Sequence, residues 1–213
     1  MMISYEQRLR HNPDLVLKEA TLYFNQQGDL YRTLRDLAQR LDELGIPYAL
    51  IGGLALAQHG FVRMTEDVAI LLTPDGLTTF KDKLVGRGYV LAFSGAKKTF
   101  RDSDTGVRIE VITSGEYPGD GLPKAVSFPD PALSAIEVAG LRVVSLEKLI
   151  KLKPASGMSA SHRRRDLADA QDLIRVLGLG ENFGEKLEAS VQSIYRQLWQ
   201  EAQAVDNLGE GTE

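Results

Sequence analysis

Residues 51–70 read IGGLALAQHGFVRMTEDVAI, and this stretch decides the fold. The apolar run Tyr48–Ile51 stands between Pro47 and two glycines, which predicts a short buried strand. Gly52-Gly53 then predicts a tight turn, and Leu54–His59, closed by Gly60, a short helix. Val68–Leu72 predicts a second strand, ended by Thr73-Pro74. Two glycines between a strand and a helix let the backbone come close to phosphate oxygens, and the helix turns its N–H groups and positive dipole end toward that anion. A plain tight turn is the other use of the same pair, because glycine is the default where φ is positive.

Outward from this unit, Leu30, Leu34, Leu37, Leu41 and Leu44 recur at helical spacing upstream and stop at Gly45, a residue suited to a left-handed helix end. Downstream, residues 75–85 predict a helix burying Leu77, Phe80 and Leu84. Strands follow at 89–93, 98–101 and 107–112, the last two as a hairpin around the polar turn 103–106. Residues 115–131, rich in glycine and proline, predict a loop, and 134–144 a strand or a hairpin about Gly140. The rest predicts helices: Ser145 capping one to about Lys153, Arg163–Leu177 ended by Gly178, and a third striped by Leu187, Val191, Ile194, Leu198 and Ala202. The expected fold is α/β (α+β): a mixed twisted sheet flanked by helices, with a C-terminal helical part. Its expected parts are an N-terminal helical segment 1–45, an α/β core 46–144, a helical part 145–204 and a disordered tail 205–213.

The 213 residues, 43% hydrophobic and 25% charged, suit one globular domain with a helical appendage. A net charge of −4 argues against binding nucleic acid or an acidic membrane through bulk charge, so any RNA contact must be focused. The absence of cysteine excludes disulfides, thiolate metal sites and cysteine nucleophiles, and fits a reducing cytosol. The N-terminus lacks the apolar segment of a signal peptide, and no stretch approaches the ~20 apolar residues that span a bilayer. A cytoplasmic protein without membrane contact is expected.

Asp67 follows Gly53 after 13 residues and opens an apolar strand, with Val68, Ile70 and Leu72 on one face and Asp67, Ala69 and Leu71 on the other. Glu110 projects from the strand face opposite Val107, Ile109 and Val111. A carboxylate among β-branched residues needs a partner. That partner is either Arg108, Arg101 or a lysine, or a divalent cation shared with Asp67.

The Gly-Gly turn, the spacer, Asp67 and the later strand carboxylate resemble the DNA polymerase β-type nucleotidyltransferases. Within them, residues 46–178 resemble the bacterial AbiEii/MenT-like proteins, toxins or toxin relatives usually paired with an antitoxin. The likeness lies in Gly-Gly-x-Ala with His59-Gly60, Arg63-x-Thr65-x-Asp67, Ile109-Glu110-Val111, Leu149-Ile-x-Leu-Lys153 and Arg165-Asp166-x-x-Asp169. This resemblance implies a nucleoside triphosphate substrate, Mg²⁺ held by Asp67 and Glu110, and Gly52 and Gly53 on the triphosphate. It also implies Arg63 and Thr65 around the nucleotide, Lys153 on the phosphates and Asp169 completing the pocket, with an RNA or protein hydroxyl, a tRNA 3′ end above all, as acceptor. A metal pair bridging the attacking oxygen and the leaving pyrophosphate demands several converging carboxylates. The middle one should stand at position 69, where this chain has Ala69. Either this is a loss-of-function form, engineered or natural, that still binds nucleotide, or Glu66 or Asp169 completes the set; Glu66 alternates to the wrong face.

Other residues have plain uses. His59 suits the C-terminal end of a helix. His162-Arg163-Arg164-Arg165 reads as a solvated helix start, although cations there oppose the dipole and hint at an anionic ligand. Lys148 and Lys151 suit a solvated helix face, Asp166 and Asp169 intrahelical bridges to Arg163 or Arg165, and Tyr195 and Trp199 packing. Three functions are therefore expected in competition: a nucleotidyltransferase impaired at Ala69, a non-catalytic nucleotide-binding or interaction module, and a purely structural domain.

Overall fold

A computed structural model describes residues 4–209, with side chains through residue 204. The chain forms two compact units. One runs to Gln58 and takes in Val62–Ser114 and Asp130–Val144; the other comprises His59–Phe61, Gly115–Pro129 and the chain from Ser145.

The first unit opens with α1 (Tyr5–Arg10) and α2 (Pro13–Phe24), expected only as part of a helical segment, and with α3 (Gly28–Glu43), the helix that the leucine stripe predicts. A capping box of Ser4 and Gln7 starts α1, and Asn12 with Pro13 starts α2, so local polar groups satisfy the first free N–H groups of both. In α3 the predicted stripe is buried from Leu30 to Leu41, whereas Leu44 is 38% exposed. Then follow β1 (Tyr48–Ile51), α4 (Gly52–Gln58), β2 (Asp67–Leu72), α5 (Pro74–Leu84), β3 (Tyr89–Leu91), β4 (Thr99–Asp102) and β5 (Arg108–Thr113). After a single turn, α6 (Pro131–Ser134), the segment expected as a strand or a hairpin about Gly140 is a hairpin of β6 (Ala135–Val138) and β7 (Leu141–Val144).

Among the described residues, seven strands form one mixed sheet in the order β3-β4-β5-β2-β1-β7-β6. The central pair β2 and β5 is parallel, and β1 runs antiparallel to β2 and parallel to β7. Phe80 of α5 packs on Phe100 of β4 and on Tyr89 of β3, at ring distances of 4.8 and 5.6 Å. The face carrying Val68, Ile70, Ile109 and Phe100 is therefore core. On the other face Ala69 and Leu71 are buried as well, so of that row only Asp67 is not buried.

The second unit holds α7 (Leu146–Ser159), α8 (Arg164–Val176) and α9 (Ala189–Gly209). The sequence expected α7 to end near Lys153, but it continues through Pro154. A proline inside a helix costs about 3 kcal/mol, and here the turn it sits in is buried: Ala155 and Ser156 are 4% exposed. Gly157 lets Leu167 of α8 lie so close that a Cβ would stand 2.6 Å from its Cγ. Close helix packing thus outweighs the lost backbone bond. Helix α9 also runs past the expected end at 204, to Gly209; the remainder of the tail expected to be disordered, residues 210–213, lies outside the described residues. No helix among the described residues is long and apolar enough to cross a membrane.

Candidate functional site

The glycine pair sits where β1 gives way to α4. Gly52 has φ +73°, a conformation that side chains disfavour, and a Cβ added to it would stand 3.1 Å from the Ala69 Cβ. Gly53 is required by contact rather than by dihedral, since its Cβ would lie 2.9 Å from the Thr65 Cβ. The turn therefore has its own packing reasons for both glycines. It also brings the β1 end against the first residues of β2, the strand that carries Asp67.

Strand pairing arranges this end of the sheet in two rows, because residues directly across neighbouring strands share a face. One row runs Arg101, Arg108, Asp67; the next runs Thr99, Glu110, Ala69, Ile51. Asp67 and Glu110 thus lie on one face as expected, a diagonal step apart, about 8 Å between Cα atoms. Ala69 is the direct neighbour of Glu110, so the missing carboxylate would have completed the group.

Side-chain contacts decide what the face does. Thr65 Oγ1 donates to Asp67 Oδ1 at 2.7 Å, and Arg108 Nη2 donates to Asp67 Oδ2 at 2.8 Å. Of the two partners weighed for this face, arginine or metal, the arginine is present, and it takes Asp67 rather than Glu110. Arg101 is turned instead to Glu6, at 2.9 Å, and to the Gly106 carbonyl. Burial works against the charge on Arg108, but the hydrogen bond and charge of Asp67, with Glu110 and Glu6, outweigh it and hold the guanidinium above its ordinary value. Arg63 has its backbone carbonyl bonded by the Tyr23 hydroxyl at 2.8 Å.

The expected Mg²⁺ does not fit this donor set. Asp67 has both oxygens engaged, Ala69 contributes none, and no group of three potential His, Cys, Asp or Glu ligands occurs among the described residues. Of the pair expected to hold Mg²⁺, Asp67 carries a cationic side chain and Glu110 stands a diagonal step away.

Lys153 and Asp169 belong to the second unit, where they form a buried cluster. Lys153 Nζ donates to Asp166 Oδ1 and to Asp169 Oδ2, both at 2.6 Å. Asp166 also accepts from Ser156 Oγ at 2.7 Å and from Arg163 Nε at 2.8 Å. Burial pushes the Asp166 carboxyl up, and the Lys153 charge with these hydrogen bonds outweighs it, leaving it below the usual carboxylate value. With side chains of Lys153 and Asp169 only 9% and 3% exposed, this is a tie between α7 and α8. Lys153, expected on the phosphates, and Asp169, expected to complete the pocket, are brought together in this tie. The bridge expected within α8 is present between Arg163 and Asp166, whereas Asp169 turns to α7.

Sequence reasoning placed Arg108 beside Glu110 but missed its bond to Asp67. The alternation of β5 put Arg108 and Glu110 on one face; the parallel register that sets Arg108 across from Asp67 had no local signal.

No protein family and no curated protein matches the chain in sequence. Among solved structures, the chain is similar to an antigenic nucleotidyltransferase-like protein from Paracoccidioides brasiliensis, with a TM-score of 0.50 and 21% identity over 80% of this chain and 87% of that one. It is also similar to ANT(2″)-Ia in complex with adenylyl-2″-tobramycin, with a TM-score of 0.50 and 14% identity over 80% of this chain and 96% of the other. These likenesses, together with the mixed sheet and its flanking helices, define the fold as that of the nucleotidyltransferases.

Proposed function

We propose that this protein binds a nucleoside triphosphate at the Gly52-Gly53 turn and that its capacity for nucleotidyl transfer is impaired by Ala69. The observation that carries the reading is the register that sets Asp67, Ala69, Arg108 and Glu110 on one face at the end of β1. Thr65 and Arg63 lead the chain into that face, and Thr65 braces Asp67. The nucleotidyltransferase fold and the motifs shared with AbiEii/MenT-like proteins support nucleotide as the ligand. Under this reading the parent activity is transfer to an RNA or protein hydroxyl, with the tRNA 3′ end as first acceptor and an antitoxin as partner, in the cytoplasm. The residues put forward for the nucleotide are Gly52, Gly53, Arg63, Thr65, Asp67, Arg108 and Glu110.

A ligand that binds only the native state raises its melting temperature, by an amount set by concentration over Kd. Thermal melts with each NTP, with and without Mg²⁺, are expected to rise, while radiolabelled NTP incubated with total RNA is expected to leave no label on it. A flat melting temperature at millimolar NTP in both media would sink the binding claim, and label transfer by the unaltered protein would sink the claim of impairment.

A further inference from the structure

The misfit between the carboxylates and a metal leads to a positive assignment. A metal-dependent phosphate site needs an excess of negative side chains, since the ion supplies the positive charge. On this face Arg108 offsets one of the two carboxylates from within. Arg108 lies across from Asp67 and two residues before Glu110 on the same face. Its guanidinium donates to Asp67, feels Glu110 electrostatically, and occupies the neighbourhood of the two carboxylates that the resemblance assigns to a cation. The Arg108 Nε is buried and makes no hydrogen bond among the described residues, so a ligand would meet the Nη end of the guanidinium rather than Nε. The Arg108 side chain is still 43% exposed, which gives a ligand access to the guanidinium.

We infer that Arg108 is the resident cation of this site and that the triphosphate binds without a divalent metal. This rests on the nucleotide reading given above. A guanidinium is planar, stays charged at all working pH values and offers a fork of donors that matches phosphate oxygens. Alanine at position 69 agrees with the same arrangement. A carboxylate there, facing Glu110 and close to Arg108, would add to the negative excess and compete with the phosphates for the guanidinium.

The test is isothermal titration of the full chain with ATP, once in EDTA and once with Mg²⁺. The expected result is binding in EDTA with an affinity that Mg²⁺ changes by less than about tenfold. Arg108→Gln is expected to weaken binding in EDTA by about tenfold or more, the scale of one lost charged hydrogen bond, whereas Arg108→Lys retains most of it. Melting curves of both variants show whether they fold, and Arg108→Lys keeps the charge on Asp67 if Arg108→Gln does not fold. A second readout is direct: Mn²⁺ added at about millimolar concentration and followed by electron paramagnetic resonance is expected to stay free with the unaltered protein and to bind the Ala69→Asp, Arg108→Gln double variant. Binding of ATP that requires Mg²⁺, or that is unchanged in EDTA by both substitutions at Arg108, overturns the inference while leaving the nucleotide reading in place. Absence of ATP binding by the unaltered protein in either medium overturns both.

Discussion

Replacing Lys153 with methionine keeps the length and much of the volume of the side chain and removes its charge. In the native cluster one ammonium holds Asp166 and Asp169 at 2.6 Å each, and the three side chains are at most 9% exposed. Removing one partner of a buried ion pair costs about 3–5 kcal/mol, because a charge is left in a poor solvent. Arg163 stays on Asp166 in the variant, which argues for the lower end, about 3 kcal/mol, or roughly 6–12 °C in melting temperature for a chain of this length. A pH dependence should also appear where the native cluster has none. In the native protein the Asp166 carboxyl lies below its ordinary value of 3.8. Its contribution to stability is therefore complete above that value and is lost only as pH falls through the lower folded value, so between about pH 7 and pH 5 it is flat. Without Lys153, burial and the proximity of the second carboxylate raise the folded value, the native state takes up a proton before the unfolded state does, and stability rises as pH falls toward 5. Urea unfolding followed by circular dichroism near pH 7 and near pH 5 measures both effects. A loss under about 1 kcal/mol, or a variant whose stability fails to rise between about pH 7 and pH 5, would refute the account of this cluster as a structural tie.

Gly53→Ala places a methyl group 2.9 Å from the Thr65 Cβ and should loosen the Thr65 bond to Asp67; an expected loss of about 1–3 kcal/mol of stability and a weaker response of the melting temperature to ATP would both be read in one thermal series. Asp102→Ala removes a buried side chain whose Oδ1 accepts from the N–H groups of Asp104 and Thr105 and whose Oδ2 accepts from Thr33. The turn between β4 and β5 then loses its internal support, and a loss of about 2 kcal/mol in urea unfolding is expected; an unchanged midpoint would remove the turn from the account.

Much of this protein is local in origin and was legible in its sequence. The unit from Tyr48 to Leu72, the helix stripe of Leu30 to Leu41 and the hairpin about Gly140 follow from apolar periodicity and from turn residues, which act over a few positions. The same patterns put Asp67, Ala69 and Glu110 on strand faces and exposed the alanine where a third carboxylate was expected. What tertiary structure alone decided is the partner of each charge. Arg108 meets Asp67 across 41 positions of chain, and Lys153 meets Asp169 across 16, through a strand register in one unit and a helix crossing in the other. The passage of α7 through Pro154 has the same origin, since the packing of Gly157 on Leu167 outweighs a local rule. Charges and prolines are counted in a sequence, but their energies depend on the burial and neighbours that long-range packing supplies.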